Sequence, residues 1–408
     1  MTQTSPPEYP GYGSTQSPLP TPSTSLPGAE YTPPPYSHPS PALVEKDIYG
    51  PPRHYIKGGR NSYYRWWKPL LALLGGGLVW FILSNVVAIL LLIAFVDNWE
   101  EILLLVSGQG GNPLENPVAV LLLLSTVALF IPPLFGAVRL IEWRKPGSLS
   151  SITGRLRWGL LVRALIVGII CSLPTIIITL TTGGTLADLG PMVPIIIIAI
   201  LFVPFQAAAE EYVFRGWAMQ TLGGWGAPAW LALILPVILF TAGHVQYGWI
   251  GMTDVAVFGL CAAWLTVRTG GLEAAIAFHV LNNLTAFALA ILLGGNPVSD
   301  AGATVESLIF SAATTLIFTG FTDWWLRREI IKREGKEAMS GPFGSPIGNF
   351  GAPPKVDPGQ AVVAVTPGAS AAPAVQTAHA GQVEQGGVDG AADLPEYGAP
   401  PSSMNPQP

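Results

Sequence analysis

Charged side chains are scarce in this chain. Asp, Glu, Lys and Arg make up 11% of its 408 residues, against about 25% in an ordinary soluble domain. That scarcity excludes a single soluble core as the main feature. Cysteine is scarcer still: Cys171 and Cys261 are the only two, and both sit in apolar runs. They exclude an extracellular disulfide framework, and nothing beside them suggests a nucleophile or a metal site, so they read as small packing residues. No cleavable leader is expected, because the first apolar run begins near Pro69, too far from Met1. The net charge of −5 says little about partners, since the charges segregate along the chain; no nucleic-acid partner is expected.

What is present is apolar and unevenly placed. Half of the residues are hydrophobic, and 26 of the 39 prolines lie in residues 1–60 and 341–408. The expected organisation is a Pro-rich disordered cytoplasmic tail over 1–60, a membrane domain over 61–337 and an Ala/Gly/Pro-rich disordered cytoplasmic tail over 338–408. Pro33-Pro34-Pro35-Tyr36 has the composition of a polyproline ligand for a partner domain. The alternative is a solvated, extended tail. High Ala, Gly and Pro, with more Arg than Lys, points to a GC-rich bacterial genome and hence to a multi-pass protein of the plasma membrane.

A helix needs about 20 apolar residues to cross the hydrocarbon core. Eight runs qualify, near Pro69–Phe95, Val118–Val138, Trp158–Leu180, Met192–Gln220, Ala229–Tyr247, Gly251–Val267, Leu272–Leu293 and Ala303–Trp325. All 20 Lys and Arg fall on or near one side of this arrangement, whereas the opposite loops hold Asp97, Glu100, Glu101, Glu115, Asp188 and Asp300 with no cation. The positive-inside rule then puts both termini in the cytoplasm. The expected fold class is an all-α polytopic membrane protein of about eight transmembrane helices.

Ionisable groups inside a bilayer are functional candidates by default, because each costs a few kcal/mol. Arg163, Asp254, Glu273, Glu306 and Asp323 lie near predicted span ends and read as interfacial. Glu210 and Glu211 lie deeper. Glu211 and Arg215 are four apart on one helix face and can pair. Glu210 points about 100° away and has no local partner, so one glutamate is neutralised while the other stays free for acid–base chemistry. Of five histidines, only His244 and His279 fall in the membrane region. His279 shares a helix face with Asn283, four residues on. A straight fifth span would bury His244 roughly 22 Å deep, too deep to meet Glu210; a tilt, a kink at Pro236 or a re-entrant Gly223–Trp230 segment would bring it level.

The order Glu210-Glu211-x-x-x-Arg215, Phe240-x-x-x-His244 and His279-x-x-x-Asn283 on successive apolar helices resembles the CPBP family, which includes CAAX prenyl endopeptidases and bacteriocin-processing relatives. The likeness covers about Leu201 to Leu293, and the family core is expected at about 191–293. It implies an intramembrane endopeptidase acting on a peptide or membrane-protein segment, with no cofactor. Glu210 would activate water with help from His244. Asn283 would donate to the oxyanion and His279 would help hold that site. Glu211 and Arg215 would fix the helix, and Phe240 would pack beside His244. A zinc site of Glu210, His244 and His279 is the alternative ligand set. Two other classes stay open: a proton-coupled secondary transporter, and a non-proteolytic scaffold or regulator of the same family.

Overall fold

The computed structural model describes residues 53–95, 99–107, 112–182, 189–296, 303–348 and 350. Among the described residues, seven helices are long and apolar enough to cross a membrane. The protein is an all-α, multi-pass membrane protein. Its helices are α1 (Lys68–Phe95), α2 (Trp99–Ser107), α3 (Pro117–Ala128), α4 (Ile131–Leu140), α5 (Trp158–Thr182), α6 (Val193–Glu211), α7 (Met219–Trp225), α8 (Ala229–Ala242), α9 (Trp249–Thr269), α10 (Glu273–Leu293) and α11 (Val305–Glu334). α3 and α4 make one broken span. Pro132 and Pro133 lack the N–H groups that would continue the ladder from Ala128, and the chain bends there. α6 and α7 are joined by a π-helical stretch, Tyr212–Ala218, into a single span ending at Trp225.

The expected fifth span is the exception. Ala229–Tyr247 forms only the 14-residue α8, which stops at Ala242. Gly243 to Gly248 make a turn and α9 leads back. His244 therefore sits on a turn and not inside a straight span. The span holding Glu210 also runs to Trp225, past the expected end at Gln220. Glu210 is then about 15 residues, roughly 22 Å, from that end. The depth mismatch between Glu210 and His244 disappears.

α10 is the central helix. It packs on α5, α6 and α9, while α11 packs on α9 and α3 on α6. Its first half, Glu273 to Val280, is buried without a break, and three of those eight residues are alanines that allow close helix approach. α1 packs on α3 and α4 at the edge.

One end of the bundle carries a polar cap. Arg157 holds buried Glu273 through two bonds of 2.9 and 2.7 Å. Arg268 grips Asp323 at 2.7 and 2.9 Å and also donates to the Phe343 carbonyl. Glu273 and Asp323, expected at the interface, are thus paired structural charges. Two chain flanks join this cap. β1 (Arg53–His54) pairs antiparallel with β2 (Ile347–Gly348), Tyr55 and Ile56 are fully buried, and Phe350 packs against Tyr55. The Tyr55 hydroxyl donates to the Leu149 carbonyl, and Arg60 Nε donates to the Gly224 carbonyl at 2.7 Å. Gly223 makes the approach feasible, since a Cβ there would fall 2.1 Å from the Ile56 carbonyl oxygen. The tail boundaries expected at 60 and 338 are corrected accordingly: residues 53–60 and 338–350 carry a few large apolar side chains that belong to the packed body. The rest of both expected tails, including Pro33–Tyr36, lies outside the described residues.

Candidate active site

The site is assembled from three helices and one turn. α6 brings Glu210 and Glu211 on its last turn, just where the helix widens into the π-helical stretch. Such insertions are frequent at functional sites because they re-aim side chains without ending the helix. Gln206, Glu210, His244, His279 and Asn283 all line one cavity of about 470 Å³. The sequence-predicted residues are therefore brought together, and the two glutamates separate as their helix angles require.

Glu211 is completely buried. Its Oε1 accepts from Arg215 Nη1 at 2.9 Å and from His279 Nδ1 at 2.8 Å. Arg215 is also fully buried; it donates to the Gly259 carbonyl at 3.3 Å and stacks over Phe240, 4.2 Å from the ring centroid. A desolvated guanidinium on an aromatic face gains cation–π attraction in addition to its ion pair. Phe240 is thus more than a neighbour of His244. Its ring centroid is 4.7 Å from that of His244 and 5.9 Å from that of His279, so it separates the arginine from the cavity while touching both imidazoles.

His279 spans the two carboxylates. A carboxylate accepts at Nδ1, so Nδ1 carries the proton and Nε2 is left to face Glu210, 3.4 Å from Oε2. The expectation that His279 works with Asn283 changes here: the closest partners of His279 are Glu210 and Glu211. Asn283 instead donates to Gln206 Oε1 at 2.9 Å, and its own carbonyl oxygen accepts from Asn282 at 3.2 Å. The second N–H of the Asn283 amide is available to a ligand. At His244, Nδ1 contacts the Phe240 carbonyl at 2.8 Å. A carbonyl only accepts, so the neutral ring carries its proton on Nδ1 and has Nε2 as an acceptor.

Glu210, His244 and His279, the alternative zinc set, all line this cavity. Among the described residues, no three His, Cys, Asp or Glu side chains are placed to hold a metal ion.

Three cavity residues were missed from sequence. Gln206 is the one polar side chain in Val193–Ala209 and stands one turn before Glu210. That spacing was a readable signal. Phe258, 4.9 Å from the His279 ring, and Tyr247, stacked 6.0 Å from the His244 ring, looked like ordinary membrane aromatics and gave none.

Residues 191–285 match the family described as type II CAAX prenyl endopeptidase, Rce1-like. Over 158 residues the chain is 28% identical to the uncharacterized protein YyaK of Bacillus subtilis (strain 168), covering 34% of this chain and 50% of YyaK. The chain thus spans about half the length of that curated relative. No solved structure matches. The matched segment contains Glu210, Glu211, Arg215, Phe240, His244 and His279 and stops two residues past Asn283, so over this segment the chain resembles Rce1-like membrane endopeptidases.

Proposed function

We propose that the cavity is the active site of an intramembrane endopeptidase that hydrolyses a peptide bond with water activated by Glu210. The observation that carries this reading is the division of labour between neighbours. Glu211 is sealed in the protein with Arg215 and His279, whereas Glu210 lines the cavity beside His244, His279 and Asn283.

A water in the cavity would be held by two acceptors, the Glu210 carboxylate and His244 Nε2. Glu210 takes one of its protons as the oxygen attacks the carbonyl carbon of the substrate. Negative charge then develops on the carbonyl oxygen, and the second N–H of Asn283 donates to it. Gln206, by binding the first N–H, fixes the amide plane for that task. Such preorganised donors count for more in a dry, low-dielectric site than in water. Collapse of the intermediate breaks the C–N bond, and Glu210 returns the proton to the leaving amine. His279, oriented by Glu211, packs beside the Glu210 carboxylate and walls that side of the site. No step passes through a metal. The substrate class is a peptide or a segment of a membrane protein.

The test is cleavage of a membrane-protein reporter by membrane fractions containing the wild type or Glu210→Ala. Loss of cleavage in the variant, at equal protein level, is expected; cleavage that survives would overturn the reading.

A further inference from the structure

A second cavity, of about 460 Å³, lies between α5, α9, α10 and α11. It shares Gly251, Asp254, Asn282 and Ala286 with the cavity of the candidate site, so the two adjoin along a common wall. Asp254 stands on that wall. Its position near the start of α9 suggests an interfacial charge, but it is half-buried and lines both cavities, sharing the second with Ser311. Among the described residues, no Lys or Arg lines either cavity. The second cavity is instead rich in hydroxyls, including Ser172, Thr175, Thr314 and Thr315.

A carboxylate at membrane depth is costly unless it is paired or used. Here the walls supply hydroxyls to share the hydrogen bonding but no countercharge. The missing cation is what a bound substrate could bring. A chamber of this size is within the range of small-ligand pockets. An ammonium has three donors and a guanidinium five. Either would find Asp254 and its neighbouring hydroxyls as acceptors.

We propose that Asp254 is a specificity-determining residue and that the second cavity receives a Lys or Arg side chain of the substrate, next to the bond that is cut. This rests on the endopeptidase reading. An acidic substrate side chain in the second cavity would meet Asp254 and be rejected, whereas a basic one would be neutralised. Charge-assisted hydrogen bonds of this kind correspond to roughly tenfold or more in selectivity.

The test uses the full-length protein in detergent and a positional-scanning library of quenched-fluorescent peptides, each position fixed in turn as Lys, Arg, norleucine or Glu. The wild type should favour Lys or Arg over norleucine about tenfold at one position. Asp254→Asn keeps the shape but removes the charge, and should bring the two within about twofold. Asp254→Glu should retain the preference. A wild type without a basic preference, or a preference that persists in Asp254→Asn, would overturn the inference and leave the peptidase reading standing. If no peptide is cut faster than by Glu210→Gln, the peptidase reading falls, and binding decides the inference. Fluorescence anisotropy should then show the Lys-fixed pool binding the wild type more tightly than the norleucine-fixed pool; equal binding would overturn it.

Discussion

α1 and α10 obey opposite rules. α1 is the more apolar of the two, yet only Pro69, Ala72 and Ser84 of its 28 residues are buried, and Leu74 and Ile93 are about three-quarters exposed. α10 is less apolar and holds Glu273, His279, Asn282 and Asn283, yet it is the centre of the bundle. In lipid, burial brings no hydrophobic gain, since the acyl chains are as apolar as leucine. Large aliphatic side chains can therefore face outward. The interior is selected for small residues that pack closely and for polar groups that find partners. The candidate site draws on the less hydrophobic helix for the same reason.

The sharpest way to break the interior is to orphan a charge. Arg215→Ala leaves Glu211 buried without its cation, and loss of one partner of a buried pair costs about 3–5 kcal/mol. Little folded protein is expected, read as yield and thermal melt in detergent. Overpacking the interior comes next. Ala277 in α10 has no exposed surface, and Ala277→Leu should cost about 1–3 kcal/mol. A melt unchanged from wild type would mean that α10 is loosely held.

The cap should respond to pH by a smaller amount. Burial, and then the nearby Lys57 charge, push the His54 pKa down to about 4 from 6.5. The folded cap therefore holds His54 neutral. Its contribution is complete above pH 6.5, declines as the pH falls from 6.5 toward 4, and is level below that. Hydrogen-exchange protection at residues 53–58, corrected for the intrinsic rate at each pH, should fall over this window in the wild type and not in His54→Gln. The smallest effect belongs to the lipid-facing helix. Leu74→Ala should shift stability by no more than about 0.5 kcal/mol; a large loss would show that α1 is covered by another protein surface.

Much of this was legible in the sequence, and the misses have physical causes. Apolar length marked the seven spans, because a bilayer imposes length directly. The same criterion overread Ala229–Tyr247, since hydropathy cannot see a helix ending at Gly243 when the following residues stay fairly apolar. The separation of Glu210 from Glu211 followed from helix angles and the Arg215 spacing. The partner of His279 did not, because Glu211 reaches it across 68 positions of sequence. Asp254 looked interfacial since position along a helix is readable and the direction of a cavity is not. Tyr55, Ile56 and Phe350 were hidden among the prolines and glycines of segments whose average composition argues against a core.

The central claim is that adjacent glutamates do different work, Glu210 in chemistry and Glu211 in structure. It is tested most directly by measuring cleavage rate and thermal melt for the wild type, Glu210→Gln, Glu211→Gln and the Glu211→Gln, Arg215→Gln pair. The account predicts that Glu210→Gln melts like the wild type and loses about 10²–10⁴-fold in rate. Glu211→Gln should melt lower, with part of the loss recovered when Arg215 is also neutralised. Equal loss of rate in the two single variants, with no difference in melting and no recovery in the pair, would contradict it.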